Sequence, residues 1–116
     1  MREYTPDGWT IVRLTSPDLQ FYKIFGTWRW ANDKWRLSSG AFDFSGIRFE
    51  GNHFIWPQQS GSVYRLPVDG EHCMSAYQSS VLEMMLGGTK KHNFQLEPIF
   101  LFEHVDLDEL IAKAQS

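Results

Sequence analysis

Cysteine is almost missing from this chain of 116 residues: Cys73 stands alone. An intrachain disulfide is thereby excluded, and a reducing, cytosolic compartment is expected. His72 precedes the thiol, but sequence adjacency alone does not create a thiolate, so Cys73 is a poor candidate nucleophile. Long hydrophobic runs are also missing. No stretch approaches the roughly 20 apolar residues that span a bilayer, and the N-terminus lacks a basic-then-apolar signal pattern. A soluble, intracellular protein without a membrane partner is expected. His53, His72, His92 and His104 show no pair at metal-ligand spacing, so no metal site is indicated. The chain has no P-loop and no Gly-x-Gly-x-x-Gly, and Ser60-Gly61-Ser62 lacks the flanking glycines of a nucleophile elbow. Repeats, low-complexity tracts and linkers are absent too, which leaves a single domain over residues 1–116. With neither cofactor nor catalytic set indicated, the expected activity is not enzymatic.

Acidic residues are scarce in one place only. Residues 21–65 hold 12 of the 18 aromatic residues and 6 of the 11 Lys and Arg, but 3 of the 14 Asp and Glu. That block carries +3 and the remainder −6, for a net charge of −3. A negative chain does not project the broad positive field that DNA or an anionic membrane requires. A local coincidence of cations with aromatic faces suits a small anionic ligand that carries rings, such as a nucleotide.

The first two-thirds of the sequence predicts short strands. Residues 9–14 alternate and are rich in β-branched side chains, ending at Thr15-Ser16-Pro17-Asp18. Residues 21–30 place Tyr22, Ile24, Trp28 and Trp30 on one face, with Phe21, Lys23, Phe25, Thr27 and Arg29 on the other. Residues 34–39 form the return strand of an antiparallel hairpin. Residues 47–50 and 53–56 flank Gly51-Asn52, two residues that tolerate positive φ and so suit a tight turn. Residues 63–66 complete the series. Ser75 and Gln78 form a capping-box pattern ahead of an apolar stripe of Tyr77, Val81, Met84 and Met85, closed by Gly87-Gly88. A strand around residues 94–96 and an extended piece at 99–102 follow, then a terminal helix capped by Asp106 and Glu109 with Leu107, Leu110, Ile111 and Ala114 as its apolar stripe. Lys90-Lys91 reads as a solvated loop, and the acidic run from Glu103 to Glu109 reads as helix capping. The predicted architecture is α+β: a mostly antiparallel sheet of about five strands with two helices.

Two strings are the best candidates for a binding site: Trp35-Arg36-Leu37-Ser38-Ser39-Gly40 and Ser60-Gly61-Ser62-Val63-Tyr64-Arg65. Arginine offers a planar, permanently charged fork for phosphate oxygens, while hydroxyls and glycine-flanked amides supply shorter contacts. The candidate ligand-binding residues are Arg36, Arg65, Ser38, Ser39, Ser60 and Ser62, with Trp35, Tyr64 and Phe25 as the aromatic members. Turn chemistry selects the same Ser and Gly residues, so either string alone is explained as a turn. Their recurrence beside aromatic rings favours a site. Of the platforms Trp28, Trp30, Trp35, Phe54, Trp56 and Tyr64, four are expected in the core.

The same strings, with Phe21-Tyr22-Lys23-Ile24-Phe25 before them, Phe54 between them and Ser79-Ser80-Val81-Leu82 after them, resemble the first-described anti-Thoeris sponge family of small phage proteins. The resemblance covers roughly residues 20–86. It implies a non-enzymatic protein that sequesters cyclic ADP-ribose isomers made by bacterial TIR-domain defence proteins. It further implies sites formed where subunits meet, in a homodimer or larger homo-oligomer, and in some members capacity for cyclic oligonucleotides. Arg36, Tyr64 and Arg65 would be the principal positions. The chain departs from the pattern at Phe54-Ile55-Trp56-Pro57-Gln58-Gln59, a bulky insertion before Ser60, and at Leu66-Pro67.

The leading expectation is therefore capture of a cyclic nucleotide-derived signal in the cytoplasm of an infected bacterium. Two other classes compete with it. One is a small inhibitor module that masks a host protein through exposed Trp28, Trp30 and Trp56. The other is a hydrolase of the same signal, with His53 or Asp43 as its base.

Overall fold

A computed structural model describes residues 2–88 and 93–115. Lys90, Lys91 and His92 lie outside the described residues. The chain runs through β1 (Glu3–Tyr4), β2 (Gly8–Ser16), β3 (Leu19–Trp28), β4 (Lys34–Leu37), β5 (Arg48–Glu50), β6 (His53–Pro57), β7 (Val63–Pro67), α1 (Ala76–Gly88), β8 (Gln95–Ile99) and α2 (Leu107–Ala114). These form two four-stranded sheets, ordered β1-β7-β6-β5 and β4-β3-β2-β8. The α+β class stands as read from the sequence, with eight strands in two sheets rather than about five in one. All pairings within the sheets are antiparallel except β1 with β7, where Glu3 meets Val63 and Tyr4 meets Tyr64 in parallel register.

Turn chemistry fixes the registers. Gly51 and Asn52 adopt φ of 56° and 62° between β5 and β6, the double left-handed step that matches strand twist in a two-residue hairpin. The loop between β3 and β4 uses Asn32 and Asp33 in the same region, at φ of 59° and 55°. The predicted strand at 94–96 becomes β8, shifted toward the C-terminus. The extended piece expected at 99–102 ends instead in a 3-10 turn over Leu101–Glu103, because fully buried Leu101 turns the chain inward and its amide meets the Glu71 carboxylate at 2.6 Å.

Period-two alternation distributes the side chains between two cores. The inner face of the β4-β3-β2-β8 sheet contributes Trp9, Ile11, Tyr22 and Ile24, which pack against Phe54, Trp56, Tyr64 and Leu66 from the other sheet. Val105, Leu107 and Leu110 join this core from the C-terminal segment. The other face buries Val12 and Phe25 under Leu82 of α1.

That packing corrects the stripe predicted for α1. Gln78 and Leu82 are the buried positions, whereas Tyr77 and Met84 are exposed, Met84 to 77%. The reason lies in Gln78: its Oε1 accepts from the Ser75 amide at 2.8 Å while its Nε2 donates to the Lys34 carbonyl at 2.8 Å. The capping box is thus also the tether to β4, and it turns the Gln78 side of the helix inward. Asp106 caps α2 as expected, accepting from the Glu109 amide at 3.2 Å.

Candidate functional site

Strands β1 and β4 are end strands of the two different sheets, and their side chains meet. On β4, alternation sends Lys34 and Arg36 to one face and Trp35 and Leu37 to the other. Arg36 pairs with Gly26 and Lys34 with Trp28. The Arg36 guanidinium carbon lies 4.5 Å from the centre of the Tyr4 ring, and Lys34 Nζ lies 5.1 Å from that of Trp28. From β1, Arg2 Nη1 donates to the Tyr4 hydroxyl at 3.3 Å. Tyr4 in turn leans on Tyr64 with 5.0 Å between ring centres.

Three cations, Arg2, Lys34 and Arg36, therefore surround one exposed-edge phenol. Among the described residues none of the three has a carboxylate partner, whereas Arg13, Arg29, Arg65 and Lys113 each do. The field is visible in Tyr4 itself. The hydrogen bond from Arg2 lowers its pKa, the charges of Arg36, Arg2 and Lys34 add to that, and partial burial opposes it. An anion placed there would meet unspent positive charge.

Tyr64 lies behind Tyr4 and is 1% exposed. Its hydroxyl is buried, with no hydrogen-bond partner among the described residues. Burial raises its pKa, while the nearby Arg36 guanidinium pulls the other way without meeting hydrogen-bond geometry. A buried donor left unmatched costs free energy, on the order of 1–3 kcal/mol.

The serine strings do come together. Ser60 N and the Ser60 hydroxyl lie 2.9 and 3.0 Å from Ser39 Oγ, and Ser60 Oγ donates to Ser62 Oγ at 3.1 Å. Gln59 N donates to the Gly40 carbonyl at 2.8 Å, knitting the two loops. Gly40 is obligatory: its φ is +105° and a Cβ would stand 2.1 Å from the Phe21 ring. The Val63 amide donates to the Arg2 carbonyl at 2.8 Å, so the serine loop abuts the start of β1. Ser39, Ser60 and Ser62 form a polar cluster whose Ser62 end adjoins the backbone of Arg2.

Other sequence-predicted members sit elsewhere. Ser38 is buried and structural, accepting from Ile24 N at 2.8 Å and donating to Gln58 Oε1 at 2.6 Å. Phe25 is 0% exposed in the α1 core, and Trp35 stacks outside it at 5.7 Å. Trp35 alone of that pair presents a face to solvent, and alternation places it opposite Arg36. Arg65 points to the far side of β1, where its Nε lies 3.6 Å from Glu3. Arg36 and Arg65 thus do not share a recess within one chain, because Tyr4 and Glu3 are consecutive residues of β1 and face opposite ways. Among the described residues, cavities of about 470, 400 and 330 Å³ are lined by neither arginine.

Arg2 and Tyr4 were missed from sequence, and Lys34 was seen only as a strand position. A two-residue strand gives no periodicity to read, and Tyr4 lies outside the aromatic block. Among the other aromatic platforms, Phe54 and Trp56 are core and Trp28 is half-buried, while Trp30 is 82% exposed. Of the candidate bases, His53 opens β6 and its Nδ1 lies 2.7 Å from the Gly51 carbonyl of the preceding turn. Asp43 accepts from both the hydroxyl and the amide of Ser45, which hold its carboxyl below the usual range and make it a weak base. Among the described residues no cluster of His, Cys, Asp or Glu could hold a metal ion, and no helix is long and apolar enough to cross a membrane.

No protein-family model, curated protein or solved structure matches this chain.

Proposed function

We propose that the protein is a non-catalytic binder that sequesters a cyclic nucleotide-derived immune signal, a cyclic ADP-ribose isomer or a cyclic oligonucleotide, in the cytoplasm of a phage-infected bacterium. The observation that carries this reading is the trio Arg2, Lys34 and Arg36, unpaired with carboxylate among the described residues and gathered around Tyr4. A diphosphate would accept from the two guanidinium forks. The Ser39, Ser60 and Ser62 cluster would supply hydroxyl contacts, and a base ring would find Trp28 as a stacking face, worth about 1–3 kcal/mol. The sponge family that the sequence resembles places its sites between subunits. An open edge between β1 and β4 suits completion by a second copy, in a homodimer or larger homo-oligomer.

Incubation with cyclic ADP-ribose isomers, followed by heat denaturation and analysis of the released ligand, tests the proposal. Intact release with a raised melting temperature supports sequestration, since a ligand at 100 times its Kd adds about 2.7 kcal/mol. Product formation would replace it with the hydrolase reading. One observation favours the host-masking alternative: Trp30 is 82% exposed with the Arg29 guanidinium 5.2 Å from its ring centre, a pair of the kind that anchors interfaces. A thermal-shift panel that ignores every nucleotide would favour that module.

A further inference from the structure

Strand β4 ends its sheet with unused backbone groups. Tyr22 and Ala41 each donate an amide to the other's carbonyl at 2.8 Å, and the Ser38 amide donates to the Ile24 carbonyl at 2.9 Å. The even residues of β3 therefore bond toward the β4 side, and the register pairs Gly26 with Arg36 and Phe25 with Leu37. Antiparallel alternation then turns the N–H and C=O groups of Trp35 and Leu37 away from β3. Among the described residues these groups have no partner.

The two faces beside that edge have opposite chemistry. On one, Lys34 and Arg36 are exposed, and neither has a carboxylate partner among the described residues. On the other, Trp35 stacks on Phe25 and Leu37 packs toward α1. The helix is oriented by contacts at both ends of the sheet. Gln78 reaches the Lys34 carbonyl of β4, while Ser79, Glu83 and Leu86 share a cavity with Pro98 of β8. At 3.6 residues per turn, the side of α1 opposite Ser79 and Glu83 carries Tyr77 and Val81, and it lies toward β4. Val81 joins Leu37 in packing on the second core, whereas Trp35 and Tyr77 stay exposed. Part of the apolar stripe read from the sequence thus borders a free strand edge.

We propose that β4 receives an extended segment of a partner protein as the fifth strand of its four-stranded sheet, and that acidic and apolar residues alternate along that segment. Residues opposite Trp35 and Leu37 exchange backbone hydrogen bonds with them and set apolar side chains on the α1 side, beside Trp35, Leu37 and Tyr77. Residues opposite Lys34 and Arg36 set carboxylates against those cations. The charges also reject a second copy of β4 as the occupant. Every antiparallel register that uses the free groups would place the cations of one copy opposite those of the other. The inference does not rest on nucleotide capture, although Arg36 serves both.

The probe is a fluorescein-labelled heptapeptide that alternates Val and Glu, titrated into the full chain by fluorescence anisotropy while backbone amides are followed by NMR. Saturable binding is expected, with the Trp35 and Leu37 amides shifted and protected from hydrogen exchange. The matching peptide of Val and Lys should bind at least about tenfold more weakly. N-methylation of the Val residues removes the N–H groups that face β4 and should weaken binding about 100-fold, whereas N-methylation of the Glu residues, whose N–H groups face solvent, should be tolerated. Tyr77→Ala, at an exposed position, should weaken the peptide about tenfold with an unchanged melting temperature. The proposal is overturned if the Val and Glu peptide does not bind, or if the Lys peptide or the Val-methylated peptide binds as well. Protection of the Trp35 and Leu37 amides that rises with protein concentration and no peptide would assign the edge to a second copy and also overturn it. A response to cyclic ADP-ribose isomers with none to the peptide ends this inference and leaves nucleotide capture standing; the reverse result does the opposite.

Discussion

The two faces of strand β1 carry arginines in opposite circumstances. On one face Arg65 lies 3.6 Å from the Glu3 carboxylate; on the other Arg36 lies over the Tyr4 ring, with Arg2 and Lys34 nearby and no carboxylate among the described residues. Both arginines belong to strings of the same character in sequence. Counting cations locates a region, but pairing decides which cations are available to a ligand. Arg65 is half-buried and spent on a surface ion pair, worth about 0–1 kcal/mol, while Arg36 keeps its charge for an incoming anion.

The contrast can be broken first through its support. Tyr64→Ala removes a fully buried ring behind the Arg36 face and should cost about 3–5 kcal/mol in chemical denaturation, against less than about 1 kcal/mol for Arg65→Ala on the other face. Equal costs would mean that the two faces do not differ in the way described. Tyr64→Phe sharpens the same comparison by removing only the unmatched hydroxyl. It should leave stability unchanged or raise it by about 1 kcal/mol, and a loss above that size would reveal a partner for the phenol.

Alkaline titration of the tyrosines gives a smaller, spectroscopic effect. Tyr4, lowered chiefly by its bond from Arg2, should ionise below the ordinary phenol value, and Tyr64, raised by burial, above it. The signs for stability are opposite. The Tyr4 contribution is present above the unfolded pKa and lost as pH falls through its folded pKa. The Tyr64 contribution is present below the unfolded pKa and lost as pH rises through its folded pKa. Absorbance at alkaline pH should therefore resolve an early and a late phenol, the early one vanishing in Tyr4→Phe and the late one in Tyr64→Phe. Bound anion at Arg2 and Arg36 should move the early transition upward, because it offsets the cations that favour the phenolate.

Much of the fold was legible because local chemistry and burial agreed. The Gly51-Asn52 hairpin, the Ser75–Gln78 capping box and the Asp106 cap all formed as read, each selected by backbone groups within a few residues. What was hidden depended on tertiary contact. The orientation of α1 is set by the bond from Gln78 to the Lys34 carbonyl, 44 residues away in sequence, so that of the stripe read from apolar periodicity Val81 and Met85 pack on the core while Tyr77 and Met84 face outward. The division into two sheets left no local mark. Within the site, the closure of Ser39 on Ser60 was foreshadowed by the repeated Ser-Gly chemistry, as was the exposure of Arg36. Tyr4 and Arg2 were not, because β1 is two residues long and owes its place to parallel pairing with β7. Phe25 and Ser38 carried the right chemistry for a ligand site but were drawn inward by strand alternation and the Gln58 bond.

The most direct measurement is titration calorimetry of cyclic ADP-ribose isomers into the native protein, Arg36→Ala and Arg65→Ala. A charged hydrogen bond contributes about 1.5–3 kcal/mol, so Arg36→Ala should weaken binding about 10- to 100-fold while Arg65→Ala changes it less than about threefold. Equal losses in both variants, or no heat of binding from any isomer to the native protein, would contradict the account.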